Sequence, residues 1–191
     1  KKCRAQISAI SSAVPDDATL RGTLNQTLLF LTKHIQTIEQ YSGFLTNWDL
    51  TPQNIRISKN QIYFLDHASF HFGNKHEGWA RFINFMALYE PQVAEALVSY
   101  VRDNRAGEEL LSLKIMRVYR LIELIRFYTE WLTRTEGNTQ ELALARIDFW
   151  HTVLKATLND EFISTEVIAS YKKIRDSFRS EDEKERQVGL H

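Results

Sequence analysis

The chain has 191 residues, 43% of them hydrophobic and 12% aromatic, enough to bury a core of its own as one domain or a domain with an appendage. Its 24 Lys and Arg balance its 24 Asp and Glu, so it lacks the basic excess that neutralises nucleic-acid phosphates or docks on an anionic membrane. One cysteine, Cys3, excludes an internal disulfide framework; with no apolar stretch near the ~20 residues of a membrane span and no secretory signal, a cytoplasmic protein without nucleic-acid or membrane partners is the expectation.

In chain order, Ile7, Ile10 and Val14 recur at helical spacing, and Pro15-Asp16-Asp17 ends that segment. A longer helix is predicted over Ala18–Ser42, where Leu20, Leu24, Leu28, Leu31, Ile35 and Ile38 make a core-facing stripe. Asp17 suits its N-cap and Gly43 the left-handed residue beyond its end. The period then changes. Ile55 and Ile57 alternate with Arg56 and Ser58, Lys59-Asn60 supplies turn chemistry, and Ile62 to Leu65 is a second apolar run, which predicts a short, buried β-hairpin.

The stretch HASFHFGNKHEG reads as a polar loop. Helical periodicity resumes over Trp79–Tyr89, ended by Pro91, then over Val93–Arg102, Gly107–Arg134, Gln140–Leu158 and about Thr165–Phe178. Within Gly107–Arg134, Glu123, Arg126 and Glu130 stand at spacings that neighbour on a helix surface. The remaining residues, 180–191, form a charged tail, solvated as a helix end or disordered. The fold class is therefore mainly α with a short β-hairpin (α+β), in one body over 1–179.

Acidic and amide groups flank the hairpin: Asp49 and Asn54 before it, Asp66 at the end of its second strand. A buried carboxylate needs a cationic or hydrogen-bonding partner, or a task. The order of long helix, glycine, loop with Asp49 and Asn54, hairpin and Asp66 resembles the C-terminal lobe of the kinase fold. Asp49-Leu50-Thr51-Pro52-Gln53-Asn54 fits a DxxxxN catalytic loop, and Phe64-Leu65-Asp66 stands where a metal-binding aspartate belongs. DLTPQNI and IYFLDHASF look most like the aminoglycoside phosphotransferase and choline kinase branch. The likeness covers Ala18 to Trp131 in topology and Asn47 to Asp66 in motif.

That resemblance implies ATP-dependent transfer of the γ-phosphoryl group to a hydroxyl of a small molecule, with Asp49 catalytic as the group receiving the hydroxyl proton and Asn54 and Asp66 holding Mg²⁺ beside the ATP phosphates. Their oxygens are expected at one open cleft, with acceptor walls from Phe70 to Arg81 and from Val93 to Arg134. Two departures stand out: Asn47 occupies the position of the usual histidine, and no glycine-rich loop or phosphate-pairing lysine strand precedes Lys1. The expectation is a C-lobe fragment of a longer enzyme, inactive without its N-lobe. The alternative is a pseudokinase-like or helical interaction module without catalysis.

Other polar clusters have plainer readings. His67, His71 and His76 lie near Asp66 and Glu77, but their spacing is not that of zinc ligands on one helical face, and a solvated loop explains them. His151 falls on the apolar side of its helix as a hydrogen-bonded core or boundary residue. Core packing is expected of Trp48, Trp79, Trp131 and Trp150, with Trp48 also able to wall the cleft.

Overall fold

The computed structural model describes residues 2–14 and 16–187. Nine helices and two antiparallel ribbons are formed among these residues: α1 (Lys2–Ala13), α2 (Ala18–Lys33), α3 (Ile35–Gln40), β1 (Phe44–Asn47), β2 (Ile55–Ser58), β3 (Gln61–Phe64), β4 (Phe70–Gly73), α4 (Glu77–Tyr89), α5 (Pro91–Asn104), α6 (Gly107–Leu132), α7 (Asn138–Leu158), α8 (Thr165–Ser177) and α9 (Glu181–Gln187). The mainly helical expectation is met. No described helix is long and apolar enough to cross a membrane.

The chain divides into two compact units, residues 34–120 and residues 1–33 with 121–191, and α6 contributes to both. In the first, α4, α5 and the front of α6 bury Ala80, Ile83, Met86, Ala94, Val98, Val101, Leu113 and Met116 together. Pro91 starts α5 rather than merely ending α4: it stands in the first turn, where its missing N–H has no carbonyl to serve. In the second unit Ile10, Leu20, Leu24, Leu121, Ile122, Ile125, Ile147 and Leu154 are buried at the periodic positions.

Local signals explain the helix ends. Asp17 Oδ1 accepts from the Leu20 amide at 2.8 Å, capping α2. Ser164 does the same for α8 through Val167 at 3.4 Å. The helix expected over Ala18–Ser42 is interrupted at His34, and Ile35, which the periodicity assigns to the core, is 54% exposed. Gly43 takes φ +85°, as expected beyond that end. In the tail, Glu181–Gln187 is helical, while residues 188–191 lie outside the described set.

Three expectations around the hairpin are corrected. The hairpin forms as anticipated, Ile55 opposite Phe64 and Ile57 opposite Ile62, with Lys59 and Asn60 both at positive φ, 48° and 62°, the two-residue turn whose twist matches the strands. It is not buried: Ile57 and Ile62 are 75% and 63% exposed, because alternation predicts a face and not what covers it. Phe70–Gly73, read as loop, is strand β4 and pairs antiparallel with β1, an unanticipated second ribbon that encloses the first. Of the tryptophans, Trp48 and Trp131 are 46% and 38% exposed rather than in a core.

Candidate functional site

The two ribbons are nested in sequence. Asn47 pairs with Phe70 at the end of the β1–β4 ladder, and the Trp48 amide continues it to the Ser69 carbonyl at 3.1 Å. The segment between is thereby a closed loop with the hairpin β2–β3 projecting from it. At the root of that hairpin the Leu65 amide donates to the Asn54 carbonyl at 2.8 Å. Asp49, Asn54 and Asp66 all lie at this junction, on the short stretches between one ladder and the other.

Asp49 is held from three sides. Asn47 Oδ1 accepts from its backbone amide at 2.8 Å, an Asx turn that fixes the loop's direction. Asn54 Nδ2 donates to its carbonyl at 3.0 Å and to Oδ2 at 3.2 Å. Arg81, on α4, donates from Nε to Oδ1 at 3.2 Å, with both side chains 31% exposed. Asparagine at position 47 thus does the orienting work open to it, although its Nδ2 is buried with no partner among the described residues.

The bond from Asn54 to Asp49 also settles which way the amide faces. An ionised carboxylate only accepts, so the nitrogen must point to Asp49 and the oxygen, Oδ1, away from it. Asp66 follows the same division. Its Oδ2 accepts from Ser69 Oγ at 2.5 Å, leaving Oδ1 for another partner. Its backbone is left-handed, φ 55° and ψ 66°, a conformation that aspartate tolerates better than most residues and that turns the chain out of β3 into the single 3₁₀ turn His67–Ser69.

The structure therefore brings the side chains of Asp49 and Asn54 into direct contact and joins Asp66 to them through its neighbour Leu65. Among the described residues the Asp66 carboxylate bonds to Ser69 rather than to either of the other two. Asn54 Oδ1 and Asp66 Oδ1 are thus two hard oxygens that the bonds to Asp49 and from Ser69 leave unused, each of a type that Mg²⁺ takes one or two of beside phosphate and water.

Several residues at the junction carry no sequence signal. Arg81 lies 32 positions from Asp49 and meets it only because β1 and α4 pack together. Arg120 of α6 donates to the Trp48 carbonyl at 2.9 Å, sits 5.9 Å from the Trp48 ring centroid, and approaches Glu77 at 3.6 Å. Glu77 in turn meets His71 at 3.1 Å. Gly78 is in place because a Cβ there would stand 2.6 Å from the Asn47 carbonyl oxygen.

The histidines diverge. His67 Nε2 reaches the Phe64 carbonyl at 3.0 Å, His71 faces Glu77, and His76 is buried with Nδ1 at 3.0 Å from Ser112 Oγ and Nε2 at 3.3 Å from Glu109. Burial pushes the His76 imidazole below its ordinary pKa, partly opposed by Glu109. No group of three or more His, Cys, Asp or Glu side chains among the described residues is placed to hold a metal ion. No protein-family model, curated protein or solved structure matches the chain.

Proposed function

We propose that residues 34–120 carry the catalytic loop and metal ligands of an ATP-dependent phosphotransferase that delivers the γ-phosphoryl group to a hydroxyl of a small molecule, a C-lobe resembling that of aminoglycoside phosphotransferases and choline kinases. The observation that carries this reading is the junction of the nested ribbons, where the Asn54 side chain is tied to Asp49 and its carbonyl to the amide of Leu65, the residue before Asp66. Asp49 receives the acceptor's proton and orients its oxygen. Arg81 and Asn54 hold the carboxylate still for that task. Asn54 Oδ1 and Asp66 Oδ1 hold Mg²⁺, which neutralises charge on the phosphates when bound. Trp48, exposed next to Asp49, lines the mouth.

The exposed faces of the ribbons support an accompanying N-lobe. Leu45 and Phe72 are directly opposed across β1–β4 and are 65% and 78% exposed, as Ile57 and Ile62 are across β2–β3. Clustered apolar surface of this kind marks a face that another body covers. A second reading, a non-catalytic interaction module, draws on Arg81, whose ion pair competes with a substrate hydroxyl for Asp49.

One assay separates them: Mg²⁺-dependent turnover of ATP with hydroxyl acceptors, for the protein with an N-lobe in place. Asp49→Asn and Asp66→Asn are expected to lower turnover by ~10²-fold or more with the circular dichroism spectrum unchanged. Turnover equal to wild type in both variants removes these residues from the chemistry and leaves the interaction module.

A further inference from the structure

The arginine beside Asp49 has half of its bonding left open. Arg81 donates from Nε to Asp49 Oδ1 at 3.2 Å, while Nη1 and Nη2, the forked end of its guanidinium, have no partner among the described residues. Glu77 stands four residues earlier on α4 and hence on the same face. It meets His71 at 3.1 Å and Arg120 at 3.6 Å instead. The Asp66 carboxylate bonds to Ser69. No acid among the described residues occupies the fork.

Other unused capacity around Asp49 is likewise for donating. The Asx turn fixes Asn47 Oδ1 on the Asp49 amide, so the atom left over is the donor Nδ2. It is buried without a partner, and so is the Thr51 hydroxyl oxygen, two residues beyond Asp49. Buried donors left unpaired are costly, so a loop that keeps them is completed by an acceptor-rich molecule or the water it brings. Asp49 itself has both carboxylate oxygens engaged, yet each retains a lone pair on which a hydroxyl can donate.

A planar guanidinium held by Nε presents its other two nitrogens as a fork that matches a carboxylate. We infer that the acceptor is a hydroxy acid and that Arg81 sets this specificity, Nε on Asp49 and Nη1 and Nη2 on the acceptor carboxylate; the inference rests on the phosphotransferase reading of the same site. A carboxylate fits better than a phosphate group, because Asp49 already draws on the single charge of Arg81. A cationic acceptor would meet the guanidinium's open end. In the transfer, the acceptor oxygen bonds to the γ-phosphorus, its proton passes to Asp49, and the bond to the β–γ bridging oxygen breaks as ADP leaves. Arg81 takes no part in that exchange: it fixes where the hydroxyl sits against Asp49.

Gluconate, sorbitol and glucamine share a six-carbon hydroxylated chain and differ at one end as anion, neutral compound and cation. With an N-lobe in place, kcat/KM for Mg²⁺-dependent transfer is expected to be highest for gluconate and lowest for glucamine. Arg81→Gln loosens Asp49 for every acceptor, so the readout is the gluconate-to-sorbitol ratio, which should fall about tenfold, mainly through KM. Arg81→Lys, which keeps the charge without the fork, should fall between. A purely structural Arg81 would lower all three acceptors in proportion, and an unchanged ratio overturns the inference. So does turnover that needs Asp49 but shows no preference for gluconate, an outcome that leaves the phosphotransferase reading standing. Turnover unaffected by Asp49→Asn overturns that reading and the inference with it. If none of the three is turned over, titration of the full chain decides: a shift of the Arg81 Nε–H resonance with gluconate, and not with sorbitol or glucamine, upholds the anion-binding fork, and its absence overturns it.

Discussion

The two ribbons are the same length and hand of pairing, yet the molecule holds them differently. β1–β4 is fastened to the helices: Thr46 and Asn47 are buried, the Gly78 amide reaches Thr46 Oγ1 at 3.4 Å, and just beyond β4 the Lys75 amide reaches the Tyr41 carbonyl at 2.9 Å. β2–β3 has no buried residue and depends on its turn, its ladder and the bond at its root. An isolated two-stranded hairpin is marginal in water. One ribbon is therefore a scaffold and the other a spacer, and the polar junction lies where they meet.

The largest effect is expected from loosening the scaffold. Gly78→Ala places a methyl against the Asn47 carbonyl, a backbone atom that cannot swing aside, and should cost ~1–3 kcal/mol in denaturant unfolding. A smaller and more local loss is expected from Asn60→Val, which forces a β-branched residue to φ 62° at a cost of ~1–2 kcal/mol per left-handed residue. Hydrogen exchange would read it: protection of the Leu65 amide should fall while that of the Trp48 amide holds. Equal loss at both sites would mean that the ribbons unfold as one, against the division drawn above.

The gentlest probe of the scaffold is pH. His76 sits between β4 and α4, and burial lowers its pKa from an ordinary 6.5, as it does for His151. Above that value the imidazoles are neutral in folded and unfolded chains alike. As pH falls below it the unfolded chain takes up protons first, so stability declines until pH passes below the folded-state values. Urea midpoints measured between pH 7.5 and 5 should drop accordingly, and His76→Gln should flatten part of the slope.

Much of this was legible in the sequence where the signal was local. Asp17 as cap, Gly43 beyond the helix end, Lys59-Asn60 as turn and the hairpin itself each depend on a few adjacent residues. The second ribbon was not, since FHFG alternates for only four residues within a histidine-rich stretch and its partner FLTN lies on the far side of the hairpin. Nor was the break at His34, where the apolar period of Leu31, Ile35 and Ile38 runs on without interruption. At the site, Asp49, Asn54 and Asp66 stood out as carboxylate and amide groups flanking apolar runs. Arg81, Arg120 and Ser69 did not, because only folding sets them beside their partners.

The metal site proposed at the junction can be tested directly with Mn²⁺ as a paramagnetic substitute for Mg²⁺, titrated in the presence of ADP while amide linewidths are followed. Broadening should centre on Asn54 and Asp66, include Asp49 and Ser69, and vanish in Asp66→Asn with the rest of the spectrum preserved. Broadening that spares the junction, or that persists undiminished in Asp66→Asn, would contradict the account.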